Sequence, residues 1–192
     1  MRCVNGCTRE EAHHMVKDTK SCSEEETTMK LTGILKTTFA AIVIISASAL
    51  PSLADSVVNV SLADKGGAMD MSKNMGLGHG MKGDMSMAIM SVVVDQGTVA
   101  AGKVTFNVTN NSKETIHEML VSPVKDEAAV LPFLDDQNRA DEEATGDLGE
   151  VAELEPGKSG SLTLDLKPGT YILYCNVAGH YMSGMWTTIT VK

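Results

Sequence analysis

The chain has 192 residues, 43% of them hydrophobic and only 4% aromatic, with a formal net charge of −9. That length allows one domain or two small ones, and the missing basic surplus argues against a nucleic-acid binder, which must neutralise phosphates. No apolar run reaches the ~18 residues of a membrane span, and four unevenly placed cysteines do not make a disulfide scaffold.

The first 54 residues read as targeting sequence rather than fold. From Met29, Lys30 and Lys36 form a positive n-region, Thr37 to Leu50 an apolar stretch, and Ser52-Leu53-Ala54 a small-x-small end, the three parts of a secretory signal peptide cleaved after Ala54. A retained short anchor is the alternative reading. Residues 1–28, with Cys3, Cys7, Cys22, His13 and His14, match no zinc spacing and are expected to be a disordered leader ahead of a start at Met29. Export would leave Cys175 as the one cysteine of the mature chain, unable to form an internal disulfide and reactive unless something such as a metal holds it. The mature part, 55–192, carries 10 basic and 19 acidic side chains, hence the whole net charge.

Valine-rich alternation at Val57 to Leu62 predicts a strand. Residues 66–90 follow, rich in glycine and methionine and without an apolar period; they are expected to form a mobile loop or insertion. Strands are predicted at Ser91 to Asp95, Lys103 to Thr109 and Thr115 to Ser122, the last ended by Pro123. Residues 125–155 contain 11 acidic side chains against Lys125 and Arg139; Ala128 to Leu134 is expected to be a short helix or edge segment, and Asp135 to Asn138 a solvated acidic loop. Asp135-Asp136-Gln137-Asn138 lacks the glycine of a calcium loop. Ser161 to Leu166, Tyr171 to Cys175 and Trp186 to Val191 are further strands, with turns at Pro156-Gly157 and Pro168-Gly169. Short strands at such spacing predict an all-β Greek-key sandwich of a single domain.

Between the last two strands runs Cys175-x4-His180-x4-Met185. A loop lets a thiol, an imidazole and a thioether so spaced converge on one point. A second imidazole must come from His117, in a predicted strand, or His79, in the glycine-rich segment; rigid sites are built on strands, which favours His117. Two histidines, a cysteine and a weak methionine are the ligand set of a blue-copper centre. Seven methionines lie between Met69 and Met90, including the pairs Met69-Asp70-Met71 and Met85-Ser86-Met87. Thioethers are soft ligands for Cu(I), so Met69, Met71, Met75, His79, Met81, Met85, Met87 and Met90 are candidates for a secondary Cu(I) site.

On these residues, 91–192 resemble the cupredoxins, the type 1 blue-copper proteins of the plastocyanin and azurin superfamily. Gly169-Thr170-Tyr171-Ile172-Leu173-Tyr174-Cys175 looks like the plastocyanin strand that enters the ligand loop, and the loop spacing is similar to that of rusticyanin- and sulfocyanin-like proteins. The resemblance implies His117, Cys175 and His180 as strong equatorial ligands of one copper and Met185 as the long axial one. It also implies an exposed His180 edge, with Ala178, Tyr181 and Met182 as an apolar docking patch. One departure is Glu118, which stands after His117 where plastocyanin-like proteins place an asparagine that ties the loop down.

Related copper enzymes pass electrons through histidines flanking the cysteine; here the flanks are Tyr174 and Asn176, and the mature chain has three histidines, too few for a second copper centre. The expectation is therefore a monomeric periplasmic electron carrier rather than an enzyme. Its partner would be a redox protein such as a c-type cytochrome, steered by the acidic segment. The alternative is a copper-tolerance protein that sequesters Cu(I) and works with copper-handling proteins.

Overall fold

Period-two alternation builds the first layer. In β1 (Ser56–Asp64) the residues Val58, Val60 and Leu62 point inward, and in β4 (Gly102–Asn110) Val104, Phe106 and Val108 do the same. β2 (Met90–Val94) and β9 (Ser159–Leu166) complete a four-stranded sheet in the order β2-β1-β4-β9, where β1 and β4 run parallel and the other pairs antiparallel. The second sheet has the order β3-β11-β10-β5-β8, formed by β3 (Thr98–Val99), β5 (His117–Val124), β8 (Glu150–Leu154), β10 (Gly169–Tyr174) and β11 (Trp186–Val191). A small hairpin, β6 (Phe133–Leu134) with β7 (Arg139–Ala140), and a four-residue helix α1 (Glu142–Thr145) lie between β5 and β8. These strands come from a computed structural model that describes residues 55–66, Asp70 and 74–192. The expected leader at 1–28, the signal peptide at 29–54, and Met69 and Met71 lie outside the described residues. Among the described residues no helix is long and apolar enough to cross a membrane.

The main core fills the space between the sheets, with Val58, Leu62, Phe106, Met119, Val121, Leu173 and Ile189. The two central strands of the second sheet are buried on both faces, because a second apolar cluster of Leu120, Leu131, Ala140, Ile172, Tyr174, Tyr181 and Met182 covers the outside. Each fully buried aliphatic or aromatic side chain contributes roughly 1.5–3 kcal/mol over leaving it in water.

The predicted all-β sandwich is therefore observed, with three corrections. Beyond Leu134 the sequence predicted no strand in residues 125–155, yet they contain β7 and β8 and carry Leu131, Ala140 and Thr145 into buried positions over the second sheet, while Asp135, Asp136 and Gln137 are exposed on a turn as expected. Strand β5 does not stop at Pro123 but pairs it with Tyr171; on its other side the backbone bonds to the chain before β8 end at Val121, so Pro123, two residues on, forgoes no ladder bond there. Residues 74–90, expected as part of a loop or insertion, are packed on the sandwich rather than standing clear of it. Their backbone is tied to the hairpin between β10 and β11 by Leu77 N donating to Met182 O at 3.1 Å and Ile89 N to Ser183 O at 3.3 Å. The Trp186 indole N–H also donates to Leu77 O at 2.6 Å.

Candidate metal centre

Three strand ends meet at one pole of the sandwich. His117 opens β5, Cys175 follows directly on β10, and His180 and Met185 lie on the loop that returns to β11. That loop is closed on itself: Cys175 N donates to Met185 O at 3.1 Å, His180 N to Val177 O at 2.9 Å, and Met185 N to His180 O at 3.2 Å. A 3-10 turn at Tyr181–Ser183 ends on Gly184, whose φ of 91° is the left-handed region that glycine adopts without strain.

The donors converge. Cys175 Sγ lies 3.3 Å from His180 Nδ1 and 3.9 Å from His117 Nδ1, and the two Nδ1 atoms are 3.2 Å apart. One donor atom from each of His117, Cys175 and His180 lies within 4.8 Å of the others, an arrangement that can hold a single metal ion. Met185 is fully buried in the same core as Cys175.

The chemistry of this set fits a soft metal cation. Burial pushes the Cys175 thiol up to about 12, against the pull of the Glu118 and Val177 N–H groups. Burial, reinforced by the neighbouring His117, pushes His180 down to about 4, and burial also lowers His117 although Asp64 works the other way. Both imidazoles are thus neutral near pH 7, the form in which they coordinate, and a metal cation would supply the positive charge that a buried thiolate needs.

The surrounding shell was not foreseen. His117 Nε2 contacts Ser112 Oγ at 2.7 Å and Asp64 Oδ2 at 3.3 Å. Burial would raise the Asp64 carboxyl, but hydrogen bonds from Ser112, Thr115, the Gly66 N–H and His117 hold it below its ordinary value. A bulge between His117 and Met119 takes Glu118 out of the ladder with β8, and its N–H donates to Cys175 Sγ at 3.5 Å. With Glu118 standing where the resemblance has an asparagine, the loop is tied from its other side. Asn176 accepts from Ala140 N at 2.7 Å and donates to Ala140 O at 3.0 Å and Glu142 Oε1 at 2.8 Å, pinning the residue after Cys175 to β7 and α1.

His180 is 3% exposed, and Tyr181 and Met182 are 1% and 3% exposed. The expected open imidazole edge with an apolar patch of Ala178, Tyr181 and Met182 is therefore corrected in part: His180 is buried, Phe133 lies against the Tyr181 ring and Leu77 bonds to Met182, while Ala178 stays half-buried. Among the described residues, the candidate soft ligands of 66–90 lie in different settings. Met90 is a core residue of β2, Met81 packs on the outer cluster, Met75 is half-buried, and Met85 and Met87 are exposed on a 3-10 turn. His79 is buried edge-on against Trp186 with its Nδ1 2.8 Å from Ala129 O, away from the Cys175 cluster. His117 is the second imidazole at that cluster.

A two-sheet sandwich with a His-Cys-His donor set at one pole is what the resemblance read from the sequence leads one to expect. A family model described as the sulfocyanin (SoxE) domain matches residues 151–192, the stretch that carries Cys175, His180 and Met185, and it bears out the cupredoxin resemblance. No curated protein matches the chain. Similar solved structures include a reduced auracyanin from the photosynthetic bacterium Roseiflexus castenholzii, at 19% identity over 73% of this chain and 99% of that one, with a TM-score of 0.41. Rusticyanin from Thiobacillus ferrooxidans is 19% identical over 72% of this chain and 79% of that one, with a TM-score of 0.42. Auracyanin B is 20% identical over 73% and 92%, with a TM-score of 0.41.

Proposed function

We propose that the protein is a periplasmic type 1 copper protein that passes single electrons between redox partners, with His117, Cys175 and His180 as strong ligands and Met185 as the weak axial one. The observation that carries this reading is the convergence of one buried thiol and two neutral imidazoles within 4.8 Å. Bound copper supplies the one-electron step between Cu(I) and Cu(II). The chain's part is to hold the donors: two come from strand ends, and the third from a loop locked by its own hydrogen bonds, so the set is assembled before the metal arrives. Burial excludes water from the donors, and the covalent path from Cys175 leads directly into β10. The protein acts as a carrier, since the cysteine's neighbours Tyr174 and Asn176 offer no imidazole relay to a further metal. A basic partner such as a c-type cytochrome suits the exposed acids of 125–155. The test is the visible thiolate-to-copper absorption of the copper-loaded protein: Cys175→Ser and His117→Ala should abolish it, and a coloured Cys175→Ser variant would overturn the assignment.

Copper handling is the second reading, favoured by one observation. Met85 and Met87 are 43% and 60% exposed on the turn beside the ligand loop, where thioethers are free to take Cu(I). A Cu(I) titration against a competing chelator, on wild type and on a Met85→Leu/Met87→Leu variant at pH 7 and about pH 5, decides it. Extra Cu(I) that survives acid and is lost in the variant supports it, because thioethers do not titrate whereas an imidazole of pKa ~6.5 does. Equal stoichiometry leaves a plain carrier.

A further inference from the structure

We infer that Asp64 and Ser112 are positioning residues that fix the His117 imidazole with its proton on Nε2 and its Nδ1 lone pair free for the metal. The inference rests on reading His117 as a ligand, and it concerns residues that no sequence motif marks.

The geometry is a short chain of hydrogen bonds. His117 Nε2 lies 2.7 Å from Ser112 Oγ and 3.3 Å from Asp64 Oδ2. An ionised carboxylate only accepts, so the shared protons come from the ring and from the serine hydroxyl, which also bonds to Asp64. The carboxylate is itself anchored: its Oδ1 takes the Gly66 N–H at 2.7 Å, and its side chain is only 3% exposed. Ser112 is held by Asn110, which is fully buried; Asn110 Oδ1 accepts from Ser112 N at 2.9 Å, and its amide donates to Thr115 O at 2.8 Å and Leu154 O at 2.7 Å.

The opposite edge of the ring shows why this matters. His117 Nδ1 is 3.2 Å from His180 Nδ1. A proton on Nδ1 would sit between the two ligands and block both. Neutral imidazole carries one proton, and an acceptor pair at Nε2 draws it there. A carboxylate behind a ligating imidazole also strengthens the ring as a donor, and loss of such partners typically costs 10–100-fold in metal affinity. The negative charge favours Cu(II) over Cu(I). The holder and the held residue lie on opposite sheets, β1 and β5, so the contact also staples the sandwich at the metal pole.

The experiment compares wild type, Asp64→Ala, Asp64→Asn and Ser112→Ala. In the metal-free proteins, 15N NMR of the histidine rings should show His117 as the Nε2–H tautomer in wild type and Asp64→Asn, which keeps an acceptor, and mixed tautomers in Asp64→Ala. In the copper-loaded proteins, Cu(II) affinity by chelator competition should fall ~10–100-fold in Asp64→Ala, with a smaller fall in Ser112→Ala. Asp64→Asn should restore most of that affinity but raise the reduction potential, by about 59 mV for each tenfold by which Cu(II) is weakened relative to Cu(I). If Asp64→Ala does not fold, the near-isosteric Asp64→Asn still decides the charge effect. A blue wild type whose Asp64 variants keep its tautomer, affinity and potential would overturn the inference and leave the copper assignment intact. A wild type that never turns blue would overturn the copper assignment, while the tautomer measurement would still judge the relay.

Discussion

Met185 and His79 are both sequence candidates for a metal ligand, and their surroundings give them opposite roles. Met185 is fully buried in the core that holds Cys175, on the loop whose backbone closes onto that cysteine. Met185→Leu keeps volume and removes the sulfur; copper and colour should remain while the reduction potential rises, because Cu(II) loses a donor that Cu(I) needs less, as electrochemistry would show. His79 is a packing residue, edge-on to Trp186 at 4.9 Å between ring centres and bonded to Ala129 O. His79→Ala should leave the visible spectrum unchanged and cost about 1–3 kcal/mol in thermal unfolding, through the unpaired carbonyl and lost packing. A variant that bleached would mean that His79 reaches the metal.

At the scale of elements, residues 74–89 act as a cover on the ligand loop. Gly78 lies so close to the ligand loop that a Cβ there would stand 2.8 Å from Tyr181 Cε1 and 3.1 Å from Met182 Sδ. Gly78→Val should push the segment off the loop, lowering stability by roughly 1–3 kcal/mol. The ligands would stay in place, so the variant should remain blue, but the reduced protein should be oxidised faster by a small soluble oxidant. An unchanged rate in stopped-flow would show that this segment does not limit access. The elements differ in how legible they were. Lys103–Thr109 and Ser161–Leu166 announce themselves because one face is buried and one is wet. The cover has no period, since irregular backbone bonds such as Leu77 N to Met182 O hold it, and these leave no pattern in side-chain type. β8 was hidden by its acids: Glu150, Ala152 and Glu153 are exposed while Val151 is buried, and the bulge opposite breaks strict alternation. Cys175, His180 and Met185 were legible because one loop carries them at fixed spacing. Asp64 was not, because an aspartate 53 residues from His117 becomes its neighbour only when two sheets close, and Ser112, five residues away, reads as an ordinary turn serine.

Across the whole molecule, negative charge gathers on the segment that wraps the second sheet. Glu150 is held above its ordinary value by burial and by Glu142, Asp147 and Glu153. A carboxyl raised in the folded state contributes fully at low pH and loses that contribution as pH rises through the raised value. Glu150→Gln should therefore stabilise more at pH 7 than at pH 4, by no more than about 0.5 kcal/mol for so exposed a group; an equal gain at both pH values would mean that repulsion is not the cause. The same field should steer a basic partner, so the bimolecular electron-transfer rate with a cationic cytochrome should fall steeply with added salt. A rate indifferent to ionic strength would assign these acids to solubility alone.

The antiparallel pairing of β1 with β2 ends where Asp64 faces Met90, and Lys65 N donates to Ile89 O just beyond. The described residues 74–88 thus rejoin the sandwich at a closed gate. Loop closure grows only slowly with length, so what a replacement beyond that gate must keep is not its length but the packing of Leu77 and Gly78 on the ligand loop. The donors of the metal pole and the roof above them are then separable inheritances. One lineage can keep the same three ligands and yet change what reaches them, by rewriting a cassette that contributes none of them.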